Sequence, residues 1–190
     1  MTKTILFDVD GCLADFVLAY TKECGAKVPW GTRENKCKWN FLDVFTKQQV
    51  DDAWSRIKND DEWWTRLSAL EDPEIFKQID RLQEQHHVLF VTARVGIHPQ
   101  GQTQQWLVDH GVYRPNVIVT TRKGEIAKAV GASYHVDDKP ENAAVVHWMS
   151  EQTKSYFVEH PSRMGGDWLP ERIKRIKSVR EYIADIKEGK

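Results

Sequence analysis

Two carboxylates, Asp8 and Asp10, follow directly on the apolar run Thr4-Ile5-Leu6-Phe7 and lead into Gly11. In an extended chain alternate side chains share a face, so both acids point the same way if the strand continues that far. Ligands of open parallel sheets bind beyond the carboxyl ends of the strands, which is where this pair would sit. Gly11 then allows a sharp departure of the chain. A calcium loop of the DxDxDG type does not fit, because Cys12 and Leu13 occupy its fifth and sixth positions. A merely soluble acidic turn, or an N-cap for a helix near residue 14, are the plainer alternatives; a cap needs only one carboxylate.

Three further segments pair an apolar run with polar groups. Tyr134-His135-Val136 ends in Asp137 and Asp138, which could equally be the acidic start of the helix opening at Pro140. Val88-Leu89-Phe90-Val91 ends in Thr92, Ala93 and Arg94, a hydroxyl and then a cation. Lys123 follows Thr120-Thr121-Arg122, where a helix start with surface charges is the bland explanation. Taken together, these are the groups needed to hold a phosphate and a hard metal. Clustered carboxylates suit Mg²⁺, and a hydroxyl and a lysine can bind non-bridging phosphate oxygens. Other chemistries lack their residues. The only Gly-Lys pair is Gly189-Lys190, no GxGxxG is present, and no serine stands in a GxSxG elbow. The seven histidines are scattered with no HExxH, which argues against zinc.

These residues need a scaffold that brings strand ends together, and the hydrophobic pattern supplies one. Strand patterns at 4–7, 88–91, 117–119, 134–136 and 156–158 alternate with helical patterns at 73–85, 101–110, 123–130, 140–149 and 170–187. Such alternation predicts an α/β fold: a Rossmann-like, five-stranded parallel sheet with helices on both faces. In the last segment Ile173, Ile176, Val179, Ile183 and Ile186 recur at helical spacing beside a basic face of Arg172, Lys174, Arg175 and Lys177. That face is better explained as solvated than as a nucleic-acid surface. Residues 15–70 break the alternation, with helical patterns at 16–20 and 48–57 and a tryptophan-rich patch. The expected organisation is an α/β core of residues 1–14 and 71–190 with a small helical cap, residues 15–70, inserted after the first strand. Five of the eight tryptophans, Trp30, Trp39, Trp54, Trp63 and Trp64, fall in that insertion.

Composition sets outer bounds. The 190 residues are 41% hydrophobic and 29% charged, enough for a core and a solvated surface. A net charge of −1 argues against a protein held mainly by non-specific phosphate contacts. No apolar run is long enough to span a bilayer, and the start does not resemble a signal peptide. Three cysteines, Cys12, Cys24 and Cys37, form no CxxC pair and read as free thiols of a reducing compartment. A cytoplasmic protein is expected.

The set Asp8-x-Asp10-Gly11, Thr92, Lys123 and Asp137-Asp138, in that order and at those strand ends, resembles the haloacid-dehalogenase superfamily of phosphohydrolases. Within it, Asp8-Val-Asp-Gly-Cys-Leu-Ala-Asp-Phe16 is similar to the DxDGVLADF motif of the 5'(3')-deoxyribonucleotidases. Glu62-Trp63-Trp64, Leu67 and a Pro-led helix parallel that family's cap-closing segment. Two departures stand out: Thr92-Ala93-Arg94 replaces the frequent Thr-Ser-Pro, and the spacing from Lys123 to Asp137 is longer than in the animal enzymes.

The resemblance implies a Mg²⁺-dependent phosphatase that cleaves the phosphomonoester of a (deoxy)nucleoside monophosphate. Asp8 would be the nucleophile and Asp10 the general acid and base. Thr92 and Lys123 would neutralise the phosphoryl oxygens. The metal would take Asp8, the backbone carbonyl of Asp10 and Asp138, with Asp137 helping to place them. Phe16 would pack on the base, with Trp63, Trp64, Trp30 or Trp39 adding faces, and Ala93 and Arg94 would adjoin the substrate. Asp10 argues against a dehalogenase, whose leaving halide needs no proton. Two alternatives stay open. One is the same chemistry on another ester, such as a small metabolite phosphate or the 3'-phosphate of a nucleic-acid end bound along residues 27–39. The other is a non-catalytic binding module that kept the fold. No membrane partner is expected, and the sequence allows a homodimer.

Overall fold

Ile5, Leu6 and Phe7 are fully buried, as only a strand covered on both faces can be. In this computed structural model, which describes residues 2–27, 41–159 and 166–189, that strand is β1 (Thr4–Phe7). Its neighbours are β2 (His87–Thr92), β3 (Asn116–Val119), β4 (Tyr134–Asp137), β5 (Lys154–Val158) and β6 (Lys174–Ile176). All pair in parallel, in the order β3-β2-β1-β4-β5-β6.

Helices α1 (Phe16–Glu23) and α2 (Lys47–Asn59) and a 3₁₀ turn (Trp63–Arg66) follow β1. They are succeeded by α3 (Pro73–Gln83), α4 (Pro99–Asp109), α5 (Lys123–Ala129), α6 (Pro140–Met149) and α7 (Val179–Glu188). The helix starts are chemically specified. Asp72 caps α3 by accepting from Glu74 N at 2.9 Å, and prolines open α3, α4 and α6, where no amide donor is needed. Asp15 caps α1 by accepting from Leu18 N at 3.0 Å, which leaves Asp8 and Asp10 free of that duty.

The sheet's two faces separate cleanly. Phe7 meets Phe90 at 5.8 Å and Tyr182 of α7 at 5.1 Å, in a cluster that also holds Ile75, Phe76 and Trp106 of α3 and α4. On the opposite face Leu6 and Val91 pack with Ala127, Ala132 and Val146, beneath α5 and α6. From β1 the chain goes first to β2 and β3 and then returns across to β4. The reversal falls between β1 and β4, and a crevice opens there at the carboxyl ends.

The prediction of five strands is corrected to six. Residues 170–187 are not one helix: Lys174–Ile176 forms β6 beside β5, and only Val179–Glu188 is helical. Ile173 and Ile176 are buried, as the spacing required, but burial at three-residue spacing also suits a turn leading into a short strand. The exposed Lys174 and Arg175 of this edge strand pair with Asp185 at 2.5 Å and Glu159 at 3.2 Å, so the basic stretch is a charged sheet edge with acidic partners. Between β1 and α3 the described residues form helices and no strand. Among the described residues no helix is long and apolar enough to cross a membrane.

Candidate active site

β1 gives way to Asp8, whose amide still donates to Val136 O of β4 at 3.0 Å, so its carboxylate emerges beside the end of β4. The chain then folds back on itself. Leu13 N and Ala14 N both donate to Val9 O, and Gly11 adopts φ +82°, which β-carbon-bearing residues disfavour. A Cβ at Gly11 would fall 1.7 Å from Asp138 Oδ2. Glycine is therefore what lets the Asp138 carboxylate approach the first loop.

Lys123, at the first turn of α5, is buried and bridges two acids: Nζ lies 2.7 Å from Asp8 Oδ1 and 2.6 Å from Asp137 Oδ2. The other oxygen of Asp137 accepts from Lys139 N at 2.9 Å and Asn142 Nδ2 at 3.0 Å. Burial alone would raise the Asp137 carboxyl, but Lys123 and the adjacent His135 outweigh it and hold it well below the usual range. Burial would likewise lower Lys123, yet Asp137 and Asp8 push it up, so the cation persists. Asp8 is driven the other way. Burial, then the charge of Asp137, raises it well above an ordinary carboxyl, with Lys123 opposing and Asp138 and Asp10 adding.

Ligand atoms of Asp8, Cys12 and Asp138 lie within 4.8 Å of one another. Burial, and then the charge of Asp8, raises the Cys12 thiol, so it stays protonated and the usable donors are two carboxylates. Oxygen donors crowded beside a buried acid fit a hard dication, whose charge would offset the burial of Asp8. Asp137 is not in this group; both of its oxygens face Lys123 and the α6 start. The Asp10 carboxylate is also turned elsewhere, toward Thr92 and Arg94.

A cleft of about 240 Å³ opens over the strand ends. Asp8, Asp10, Thr92, Ala93, Lys123 and Asp138 form one side, with Lys139 and Asn142; Phe16, Phe41, Trp54 and Trp64 form the other. Phe16 is the hub of the aromatic side, stacked on Trp64 at 5.9 Å and 17° and on Trp54 at 6.0 Å and 26°.

Most of the residues predicted from sequence therefore converge here. Three are placed elsewhere. Asp137, expected to help place the metal, is fully buried against Lys123 and does not line the cleft. Trp63 is buried edge-on against Trp64, with Nε1 donating to Glu23 at 3.3 Å, and does not line the cleft. Arg94, expected beside the substrate, is buried under Asp10. Four lining residues were missed: Phe41, Trp54, Lys139 and Asn142. Asn142 carried a usable signal, since it stands one helical turn beyond Asp138 on the Pro140-led helix. Trp54 stands in α2 beside the buried Ala53 and Ile57, and its sequence signal is no more than membership of the aromatic patch. Trp30, Trp39, Cys37 and the basic stretch after Lys27 lie outside the described residues, apart from the exposed Lys27. Cys12 and Cys24 are free, buried thiols.

Comparison with known proteins places the chain in a family and a fold. The family model described as "5' nucleotidase, deoxy (Pyrimidine), cytosolic type C protein" matches residues 2–157. No curated protein matches the chain. Among solved structures, a haloacid dehalogenase-like hydrolase from Burkholderia xenovorans LB400 superposes with a TM-score of 0.55 at 15% identity, covering 95% of this chain and 96% of that one. The L-2-haloacid dehalogenase of Xanthobacter autotrophicus, with chloropropionic acid covalently bound, gives a TM-score of 0.53 at 8% identity, covering 98% and 99%. At these identities the likeness is one of fold.

Proposed function

This chain belongs to the cytosolic type C family of deoxy (pyrimidine) 5'-nucleotidases and is a phosphohydrolase of haloacid-dehalogenase fold, and from that premise we propose that it hydrolyses nucleoside monophosphates through an aspartyl-phosphate, with Mg²⁺ as cofactor. The observation that carries the proposal is the cleft itself. One wall presents Asp8, Lys123 and Asp138, and the facing wall is built of aromatic rings. A phosphate can meet the first while a base meets the second. Residues 15–70 act in this proposal as a cap that selects the substrate.

Asp8 attacks phosphorus with a carboxylate oxygen; the ester P–O bond breaks and the acyl phosphate forms. The Asp10 carboxyl gives its proton to the departing alkoxide. In the second half the Asp10 carboxylate takes a proton from water as that water's oxygen bonds to phosphorus, and the bond to Asp8 breaks. Lys123 holds positive charge against the phosphoryl oxygens, and Asp137 keeps Lys123 aimed at Asp8. Thr92 lines the floor, with its hydroxyl engaged by Asp10. Asp8 and Asp138 would hold Mg²⁺. When bound, the ion supplies charge that offsets the mutual repulsion of acids and phosphate.

The test is a phosphate-release screen over nucleoside monophosphates, sugar phosphates and 3'-phosphorylated oligonucleotides, with and without Mg²⁺. Metal-dependent release that favours the mononucleotides is expected. Faster turnover of the sugar phosphates or the oligonucleotide ends would overturn the substrate assignment.

A further inference from the structure

Arg94 is a buried, multiply bonded cation that no step above uses. Its side chain has no solvent exposure, although Asp10 beside it is 19% exposed. Nε donates to Asp10 Oδ2 at 3.0 Å and to Oδ1 at 3.2 Å, while one terminal nitrogen reaches Oδ1 at 2.8 Å. The other terminal nitrogen donates to Thr103 Oγ1 at 3.1 Å, and that hydroxyl in turn donates a hydrogen bond to Pro99 O at 2.6 Å. The guanidinium lies 4.8 Å from the Trp64 ring and 6.0 Å from Trp106. Thr92 Oγ1 completes the set at 3.0 Å from Asp10 Oδ2.

This is an anchored fork. A guanidinium that meets both oxygens fixes the plane of a carboxylate, which a lysine's point charge does not. The fork is itself immobilised from behind by Thr103 and on its flanks by two indoles. Arg94 does not line the cleft and Asp10 does, so anything Arg94 contributes to the reaction passes through Asp10. Trp64 extends the chain of contacts outward. It donates from Nε1 to Val95 O at 2.8 Å, and it stacks on Phe16, which faces the cleft.

We infer that Arg94 is a positioning residue that sets the orientation of the Asp10 carboxyl for proton transfer, with Trp64 seating it from the aromatic wall. The inference rests on the reading of Asp10 as general acid. Misplacing a proton donor by about an ångström costs on the order of a hundredfold in rate without touching substrate affinity.

The test uses aryl phosphates that differ only in leaving-group acidity, from phenyl to 2,4-dinitrophenyl phosphate, because a good leaving group departs without a proton. Asp10→Asn should lose far more on phenyl phosphate than on the dinitrophenyl ester. Arg94→Ala should reproduce that steepening, with kcat down roughly a hundredfold on phenyl phosphate, less than about tenfold on the dinitrophenyl ester, and KM little changed. On the Asp10→Asn background Arg94→Ala should cost less than about threefold more, because the group it positions is gone. Arg94→Lys, which keeps the buried charge but not the fork, should show the same steepening and serves where the alanine variant does not fold. A flat profile for Asp10→Asn overturns the general-acid reading. A steep profile for Asp10→Asn overturns the inference alone if the Arg94 variants lose rate uniformly, if the losses add in the double variant, or if Arg94→Lys keeps the wild-type profile.

Discussion

The two walls of the cleft are built by different physics. On the strand-end wall, Lys123 and Asp137 are held by ion pairs and hydrogen bonds of 2.6–3.0 Å that allow each group one position. On the facing wall, Phe16, Trp54 and Trp64 touch through ring faces at 5.9–6.0 Å, and Phe16 and Trp54 are only partly buried. Directional bonds in a buried setting fix where charge sits, which a reaction at phosphorus requires. Stacked rings fix only a surface and a thickness, which is what discrimination among planar ligands requires. In the proposed function the chemistry thus belongs to the sheet and the selectivity to the helices that follow β1.

Removing the proposed nucleophile should show the largest effect. Asp8→Asn keeps shape while the amide loses nucleophilicity and a metal ligand, so phosphate release should fall below roughly a few per cent of wild type on every ester. The variant should stay folded by circular dichroism, because it removes one charge from a crowded acidic cluster. Activity much above that level would show that the strand-end wall does not work by covalent catalysis.

The second test separates buried from solvated cations on one helix. Lys123→Ala leaves Asp8 and Asp137 buried without their shared counter-charge, which should cost about 3–5 kcal/mol of stability and about a hundredfold or more in rate. Lys128, exposed on the same helix, should change stability by less than about 0.5 kcal/mol and rate by very little when replaced by alanine. Urea denaturation and initial rates on both variants decide it. Equal losses, or a larger loss at Lys128, would contradict the site's geometry.

The smallest effect belongs to the aromatic wall. Phe16→Ala removes one stacking face worth about 1–3 kcal/mol, so kcat/KM for a nucleoside monophosphate should drop about tenfold to a hundredfold. p-Nitrophenyl phosphate should be affected much less, since its phosphate is held from the other side. Equal losses on the two substrates would make Phe16 a packing residue and erase the contrast between the walls.

Much of this was legible in the chain. The Thr4–Phe7 run followed by Asp8 and Asp10, and the pair after Val136, announced acids at the ends of strands; an apolar run giving way to carboxylates is a local pattern that needs no tertiary information. The division of labour within Asp137-Asp138 was not legible. Adjacent side chains at a strand end diverge, and which one meets the lysine depends on where α5 crosses the sheet. Arg94 misled for a related reason: a cation just past a strand end looks like a phosphate ligand until Trp64 and Trp106 are seen to close over it. β6 was hidden because Ile173, Ile176 and Val179 continue a helical spacing through a strand three residues long.

Sequence alone determined the layered α/β order, the interruption after β1 and the inventory of acids, hydroxyl and lysine, because these depend on patterns within a few residues of each other. Only the tertiary structure decided which carboxylates face the cleft, which cation stays behind one of them, and which of the aromatic rings form the opposite wall. Those choices turn on contacts such as Arg94 with Asp10 and Trp64 with Phe16, between residues dozens of positions apart, and their geometry exists only once the sheet and the inserted helices have packed.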